Sequence, residues 1–115
     1  MKDFMLIFIS QSYESQGLSP DEMQARMGKW FTWQQKMAAD GVVKNGNALH
    51  EQRRHISGPD RVVTDLAATG VKELVGGYYV VTARDLAHAS EIAQGYPDYD
   101  IGGTVEIREV MVFDN

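Results

Sequence analysis

Two side chains of opposite charge stand two positions apart near the C-terminal end of the chain, within the alternation of a strand. Glu106 and Arg108 alternate with Val105 and Ile107, so the charged pair shares one face of the strand and the apolar pair shares the other. If the apolar pair packs against helices, the charged pair points into a cleft. There Arg108 could hold a carboxylate or another oxyanion while Glu106 orients it or accepts a proton. A structural ion pair, within one subunit or between two, is an equally good interpretation.

A second group of charged residues precedes a predicted strand. Asp65, Lys72 and Glu73 lie in a segment with no clear period. In one interpretation Asp65 and Glu73 are acid–base groups at the edge of a cleft, and Lys72 holds an anion. In the other, Asp65 caps a turn while Lys72 and Glu73 are solvated or form a weak ion pair.

Aromatic side chains complete the candidate pocket. Tyr78 and Tyr79 are consecutive in a strand and point to opposite faces, so we expect one at most to line a cleft, with Tyr78 as the candidate. Trp30, Phe31 and Trp33 fall on one predicted helix and cannot all point the same way. One of these three therefore lines a pocket or a subunit contact, and Trp30 is the candidate.

The elements that would position these residues repeat a β-α-β order around an inserted hairpin. Strands are predicted at residues 4–9, 42–43, 77–82 and 104–113, helices at 20–40 and 82–95, and a hairpin at 55–64. This order is the split βαβ pattern, so the predicted fold class is α+β and ferredoxin-like.

Both helix starts carry capping signals. Ser19 is followed by Pro20 and by Glu22 three positions on, which predicts a capping box. Thr82 and Asp85 repeat that spacing and predict the start of the second helix. The inward residues of the second helix are predicted to be Leu86, Ala89, Ile92 and Ala93.

Two helices can cover only one face of a four-stranded sheet, so the other face must meet something else. The strands offer that face aromatic and β-branched residues, and a second copy of the chain is the simplest cover. We therefore predict a homodimer with its sheets face to face and a cleft between them.

Composition narrows the classes of partner. The 115 residues form one predicted domain, residues 1–115, with 43% hydrophobic content. The net charge is -5, and Arg53 and Arg54 form the one basic cluster, which disfavours a nucleic-acid partner. The apolar run at residues 4–9 is too short for a signal sequence or a membrane span, so we expect a cytoplasmic protein with no membrane partner.

Metal and cofactor chemistry find little support in the sequence. The chain has no cysteine, which excludes a disulfide framework, a thiolate nucleophile and a zinc finger. His50 and His55 have no clear third ligand beside them. We expect no metal and no cofactor.

The motifs together resemble the YCII-related family, in the branch named for its Asp-Gly-Pro-Phe (DGPF) motif. The first and the last two positions of that nine-residue motif match Asp65, Lys72 and Glu73, while the middle six differ. The Gly-Gly-Tyr-Tyr that follows matches residues 76–79, and the family's Gly-x-Val-Glu-Val-Arg ending is similar to residues 103–108. The resemblance covers nearly the whole chain and implies a dimeric α+β barrel of ferredoxin-like subunits.

The resemblance implies little about the reaction. A better-understood branch looks like an enzyme with a His–Asp pair whose His lies on the first helix, whereas residues 20–40 here contain no His. The leading hypothesis is a dimer whose inter-sheet cleft binds a small, partly apolar, anionic molecule, with or without a cofactor-independent acid–base reaction. The first alternative is a non-catalytic module that binds a partner protein, because members of the branch look associated with regulatory factors of transcription. The second is an oxygenase of the same barrel architecture, haem-binding or cofactor-free, by analogy of fold.

Overall fold

The computed structural model describes residues 1–65 and 74–113. Its strands and helices are β1 (Lys2–Ser10), α1 (Pro20–Ala39), β2 (Val43–Ala48), β3 (Arg54–Ser57), β4 (Val62–Asp65), β5 (Leu74–Ala83), α2 (Leu86–Ala93) and β6 (Thr104–Glu109). A single 3-10 turn, Tyr99–Ile101, precedes β6.

Four strands form an antiparallel sheet in the order β2-β5-β1-β6. β1 lies at the centre and pairs with β5 on one side and β6 on the other. The hairpin of β3 and β4 forms a separate two-stranded sheet inserted between β2 and β5. The predicted α+β, ferredoxin-like order with an inserted hairpin is confirmed.

One face of the sheet carries the core. Phe4, Leu6 and Phe8 alternate along β1 and are buried, while Met5 and Ile7 between them stay half-buried on the opposite face. The helices contribute Trp33, Met37, Ala89 and Ala93 to the same buried cluster. Both helices thus lie over one face of the sheet, and the described residues leave the other face uncovered.

The start of α1 has the predicted geometry. The Ser19 hydroxyl oxygen accepts from the Glu22 backbone N–H at 3.1 Å, and a Glu22 carboxylate oxygen accepts from the Ser19 backbone N–H at 3.1 Å. Gly41 takes a positive φ of 70° just after the helix, as its C-terminal position favours.

The start of α2 was predicted wrongly. Thr82 lies in β5, because the ladder with β1 continues to Ala83, and Asp85 is the residue that caps the helix by accepting from the His88 N–H at 2.8 Å. Leu86 is exposed rather than inward, because it occupies the first position of α2, ahead of the turns that pack on the sheet.

The ends of β5 and β6, the two strands that pair with β1, also differ from the prediction. β6 ends at Glu109 instead of residue 113, because its partner β1 begins at Lys2; one further bond joins the Val110 N–H to the Asp3 carbonyl at 2.8 Å. β5 is longer than predicted, because β1 extends to Ser10 and pairs there with Leu74. Neither helix is long and apolar enough to cross a membrane.

Candidate functional site

A cavity of about 720 Å³ opens at the end of the sheet where β1, β2 and β5 meet α1. Its walls are mainly apolar and come from every layer of the fold. The large apolar side chains along it are Phe8, Met27, Trp30, Phe31, Tyr79 and Tyr96. We call this space the aromatic cavity.

The ring of Phe8 contacts three other aromatic rings in the walls of the aromatic cavity. Its ring stacks on Tyr96 with centroids 5.2 Å apart, and it meets Trp30 and Tyr79 edge to face at 5.1 and 5.5 Å. These four rings belong to β1, α1, β5 and the loop after α2. Because stacked and edge-to-face pairs stabilise each other's positions, the cavity walls are preformed.

Two glycines allow these rings to approach the backbone. A Cβ atom on Gly46 would overlap the ring of Tyr79 and lie 2.6 Å from the Tyr78 carbonyl oxygen. A Cβ atom on Gly103 would overlap the Tyr96 hydroxyl and lie 2.9 Å from the Asp98 carbonyl oxygen. A larger residue at either position would displace an aromatic wall.

A hydrogen-bonded group closes the polar end of the aromatic cavity. The Asp98 side chain is buried, and its Oδ2 atom accepts from the Tyr13 hydroxyl at 2.7 Å and from the Trp30 Nε1–H at 3.2 Å. The same Trp30 N–H also lies 2.9 Å from the Tyr13 hydroxyl oxygen. Tyr13, Trp30 and Asp98 are called the polar cluster below.

Arg26 connects the polar cluster to α1. Its guanidinium donates to Asp98 Oδ1 at 3.5 Å, to the Pro97 carbonyl at 3.1 Å and to both Asp100 carboxylate oxygens at 2.6 and 2.9 Å. These bonds bring a positive charge beside the buried Asp98 carboxylate. The hydrogen bond from Arg26 holds the pKa of Asp100 below its usual range.

The phenols of the site are neutral at physiological pH. Burial, and then the hydrogen bond and charge of Asp98, raise the pKa of Tyr13 well above its ordinary value. Burial, with the charge of Asp98, raises the pKa of Tyr96 to about 12. Both hydroxyls therefore serve as hydrogen-bond donors and acceptors rather than as bases, and Asp98 is the hydrogen-bond acceptor of the group.

Two of the residues selected from the sequence, Trp30 and Tyr78, line the aromatic cavity. Tyr78 lies at its rim, where the phenol oxygen accepts from Asn47 Nδ2 at 2.9 Å. Tyr79, which the strand alternation assigned to the helix side, packs on Trp33 and lines the cavity as well. The expectation that one tyrosine at most lines a cleft concerned the space between two sheets and stays a prediction; both tyrosines line the aromatic cavity.

Glu106 and Arg108 lie elsewhere. Val105 and Ile107 pack against the core, so both charged side chains stand exposed on the uncovered face of the sheet. Register places Glu106 beside Ile7 and Arg108 beside Met5 of β1. The structure therefore does not bring this charged pair to the polar cluster.

The remaining sequence candidates lie on and after the hairpin. Asp65, at the end of β4, pairs with the Arg54 guanidinium of β3 at 2.8 Å, and both side chains are exposed. Lys72 and Glu73 fall outside the described residues, as does the altered centre of the motif at residues 66–71.

Sequence reasoning missed the residues at the polar end: Tyr13, Arg26, Tyr96 and Asp98. Tyr13 and Asp98 are separated by 85 positions and both lie in loops, where no periodicity signals a shared face. A local signal did exist for Arg26, because it stands four positions before Trp30 on α1 and residues at that spacing share one face of a helix.

Comparison with protein-family models gives a match over nearly the whole chain. Residues 4–114 match the family model of the YCII-related domain. The matched range contains the whole sheet from Phe4 onward, both helices and the polar cluster. None of the curated proteins compared with the chain matches it.

Proposed function

The chain belongs to the YCII-related family, and on that premise we propose that it is a small-molecule-binding protein whose ligand occupies the aromatic cavity. The observation that carries the proposal is a preformed space of about 720 Å³ with aromatic walls and a buried carboxylate at one end. Apolar walls with a few convergent polar groups are typical of ligand sites, and this volume suits a molecule of drug-like size.

The side chains define the part of the ligand that enters the cavity. Rings from Phe8, Trp30 and Tyr79 favour a flat, apolar body that stacks or packs edge to face. At the polar end, Asp98 accepts hydrogen bonds and Tyr13 offers a further acceptor lone pair. A hydroxyl or N–H group on the ring system would complete these contacts.

An acid–base reaction at the polar end of this cavity would use Asp98. A general base must take a proton at the working pH, and the raised pKa values of Tyr13 and Tyr96 keep both phenols protonated there. Arg26 places a positive charge 3.5 Å from Oδ1 of Asp98. Cofactor-independent proton transfer at Asp98 is therefore the enzymatic form of the proposal.

We further propose that two copies pair through the uncovered face of the sheet. Met5, Ile7 and Val80 are half-buried there although nothing in the described chain covers them. Glu106 and Arg108 border this apolar patch; an ion pair across the subunits and a ligand contact both remain proposals for them. The cytoplasmic location and the DGPF branch also stay predictions, the latter supported by the match at residues 76–79.

Filling the cavity tests the binding proposal. Ala48 faces the cavity from the end of β2, so Ala48→Trp should occupy the ligand's space without altering the core. Ala38→Trp, at an exposed position of α1 that does not line the cavity, is the matched control. The probes are indole and naphthalene compounds carrying hydroxyl, amine or carboxylate groups. Their binding is measured by thermal shift and by calorimetry.

We expect a subset of these probes to stabilise the wild type, by about 2.7 kcal/mol at a concentration of 100 Kd. Ala38→Trp should respond as the wild type does, and Ala48→Trp should not respond. Equal stabilisation of wild type and Ala48→Trp would place the ligand elsewhere and refute the proposal.

A second candidate, the protein-interaction module, is favoured by the hairpin. Every residue of β3 and β4 is exposed, including Ile56, Val62 and Val63 at 62%, 58% and 55%. Two-stranded hairpins are marginally stable alone in water, so a partner surface would stabilise this one. A photo-crosslinker at position 63 should then give one adduct of defined mass with the partner protein. Ile56→Asp should remove this adduct and Ala48→Trp should preserve it. Crosslinks of no defined mass would count against the protein-interaction module.

A further inference from the structure

A second, smaller groove of about 400 Å³ adjoins the aromatic cavity. Its lining consists of Leu49, His50, Gln52, Arg53, Leu74 and Val75. Leu49 and Leu74 line both spaces, so a molecule that leaves the cavity past these two leucines enters the groove. We call it the Arg53 groove.

The two spaces differ in charge. Among the described residues, the charged side chains lining the aromatic cavity are the carboxylates Glu51 and Asp98. The Arg53 groove is lined instead by a guanidinium, an imidazole and an amide, above an apolar floor. A negatively charged group would be repelled from the first space and attracted to the second.

Arg53 differs from its neighbour Arg54 in its surroundings. Arg54 is exposed and pairs with Asp65 at 2.8 Å. Arg53 is half-buried, and within the described parts of the chain its guanidinium has no carboxylate oxygen within 4.0 Å. Its planar fork of N–H donors, which suits a carboxylate, lines the groove with no acid of the described residues paired to it.

We propose, on the basis of the function proposed above, that the ligand is an aryl-alkyl carboxylate that spans both spaces. Its ring lies in the aromatic cavity, its short alkyl chain passes Leu49 and Leu74, and its carboxylate is bound by Arg53 in the groove. His50 and Gln52 line the same groove and add hydrogen-bond donors. In this proposal Arg53, on the cavity side of the molecule, recognises the anion.

The test compares acids with uncharged analogues of the same shape. The probes are 4-phenylbutanoate and indole-3-propanoate, each paired with its primary amide, and Kd is measured by calorimetry. Wild type should bind each acid about 10-fold more tightly than its amide, because a charge-assisted bond to Arg53 is lost in the amide. Arg53→Gln should bring the acid to the affinity of the amide and leave the amide's own Kd unchanged, which shows that the cavity is intact.

Arg54→Gln is the matched control, because it removes the same charge one position away. It should retain the wild-type preference for the acid. Equal loss in Arg53→Gln and Arg54→Gln would reduce the effect to general electrostatics and overturn the proposal. Acid and amide of equal affinity in wild type, both lost in Ala48→Trp, would overturn the proposal and leave the binding function standing. Failure of all four compounds, together with the broader indole and naphthalene panel, to bind wild type would refute the binding function and this inference with it.

Discussion

A buried carboxylate is costly unless hydrogen bonds and charge compensate it. Asp98 is only 3% exposed, yet it accepts from Tyr13 and Trp30 and lies beside Arg26. Across residues 1–65 and 74–113, no buried side-chain nitrogen or oxygen lacks a hydrogen-bond partner. Each buried polar atom of the cluster thus has a hydrogen-bond partner without a ligand, which favours a fixed geometry that a ligand meets rather than creates.

Tyr96 predicts how the stability of the protein depends on alkaline pH. The pKa of Tyr96 is raised from 10.0 to about 12, mainly by burial. Above pH 10 the unfolded chain therefore loses this proton before the folded chain does, so the free energy of unfolding falls as pH rises from about 10 to about 12. Tyr96→Phe removes this contribution and should flatten the decline, as measured by urea unfolding at half-unit steps from pH 9 to 12.

The comparison needs a substitution that removes no phenol. Ala38→Trp is suitable because Ala38 is exposed on α1 and does not line the aromatic cavity. Its decline between pH 10 and 12 should follow that of the wild type. Parallel curves for wild type and Tyr96→Phe would show that Tyr96 ionises alike in both states, contrary to the burial described.

At this scale the sequence could indicate a residue only where its element fixes a direction. Trp30 and Tyr78 could be proposed because helix and strand periods limit where their side chains point. Tyr13, Tyr96 and Asp98 lie in loops, whose course depends on contacts between distant parts of the chain. No periodicity exists there, so the polar end of the cavity could not be predicted.

At the scale of elements, local sequence signals predicted which helices and strands exist, and their order, better than they predicted where each one begins and ends. The capping box at Ser19 and Glu22 depends on four consecutive positions and was predicted correctly. The ends of β5 and β6 depend on the length of β1, the strand that pairs with both. An isolated segment carries no information about its partner's length, which is why these ends and the start of α2 were misplaced.

Arg26 joins two elements, α1 and the loop before β6, and its loss should separate them. Arg26→Ala leaves the buried Asp98 carboxylate with one fewer charged donor, so we expect the free energy of unfolding to fall by about 1–3 kcal/mol in urea titrations. Asp100→Ala removes the other partner of Arg26, which is exposed, and should cost much less. If Asp100→Ala were as damaging as Arg26→Ala, the exposed ion pair rather than Asp98 would hold the loop.

At the scale of the whole molecule, the two faces of the sheet differ in what covers them. One face is covered by α1 and α2 and ends in the aromatic cavity. The other presents half-buried Met5 and Ile7 between Tyr78 and Val80 on one side and Glu106 and Arg108 on the other. The ferredoxin-like order was predictable because it follows from element order alone, whereas the cavity arises from loops and from the end of the sheet.

The charges of Glu106 and Arg108 on the uncovered face lead to a prediction about how two copies pair across a two-fold axis. In a face-to-face pair of identical chains, Glu106 of each copy can meet Arg108 of the other. We therefore expect a mass twice the 12.9 kDa of the chain at micromolar concentration and its loss in Arg108→Glu, where like charges would face each other. The swap Glu106→Arg with Arg108→Glu should restore the dimer, because the exchanged charges again pair across the axis. Lys29→Glu, which reverses an exposed charge on α1, should leave the mass unchanged in sedimentation equilibrium. A wild type that sediments as a monomer, or a swap no better than Arg108→Glu alone, would mean that this face meets something other than a second copy.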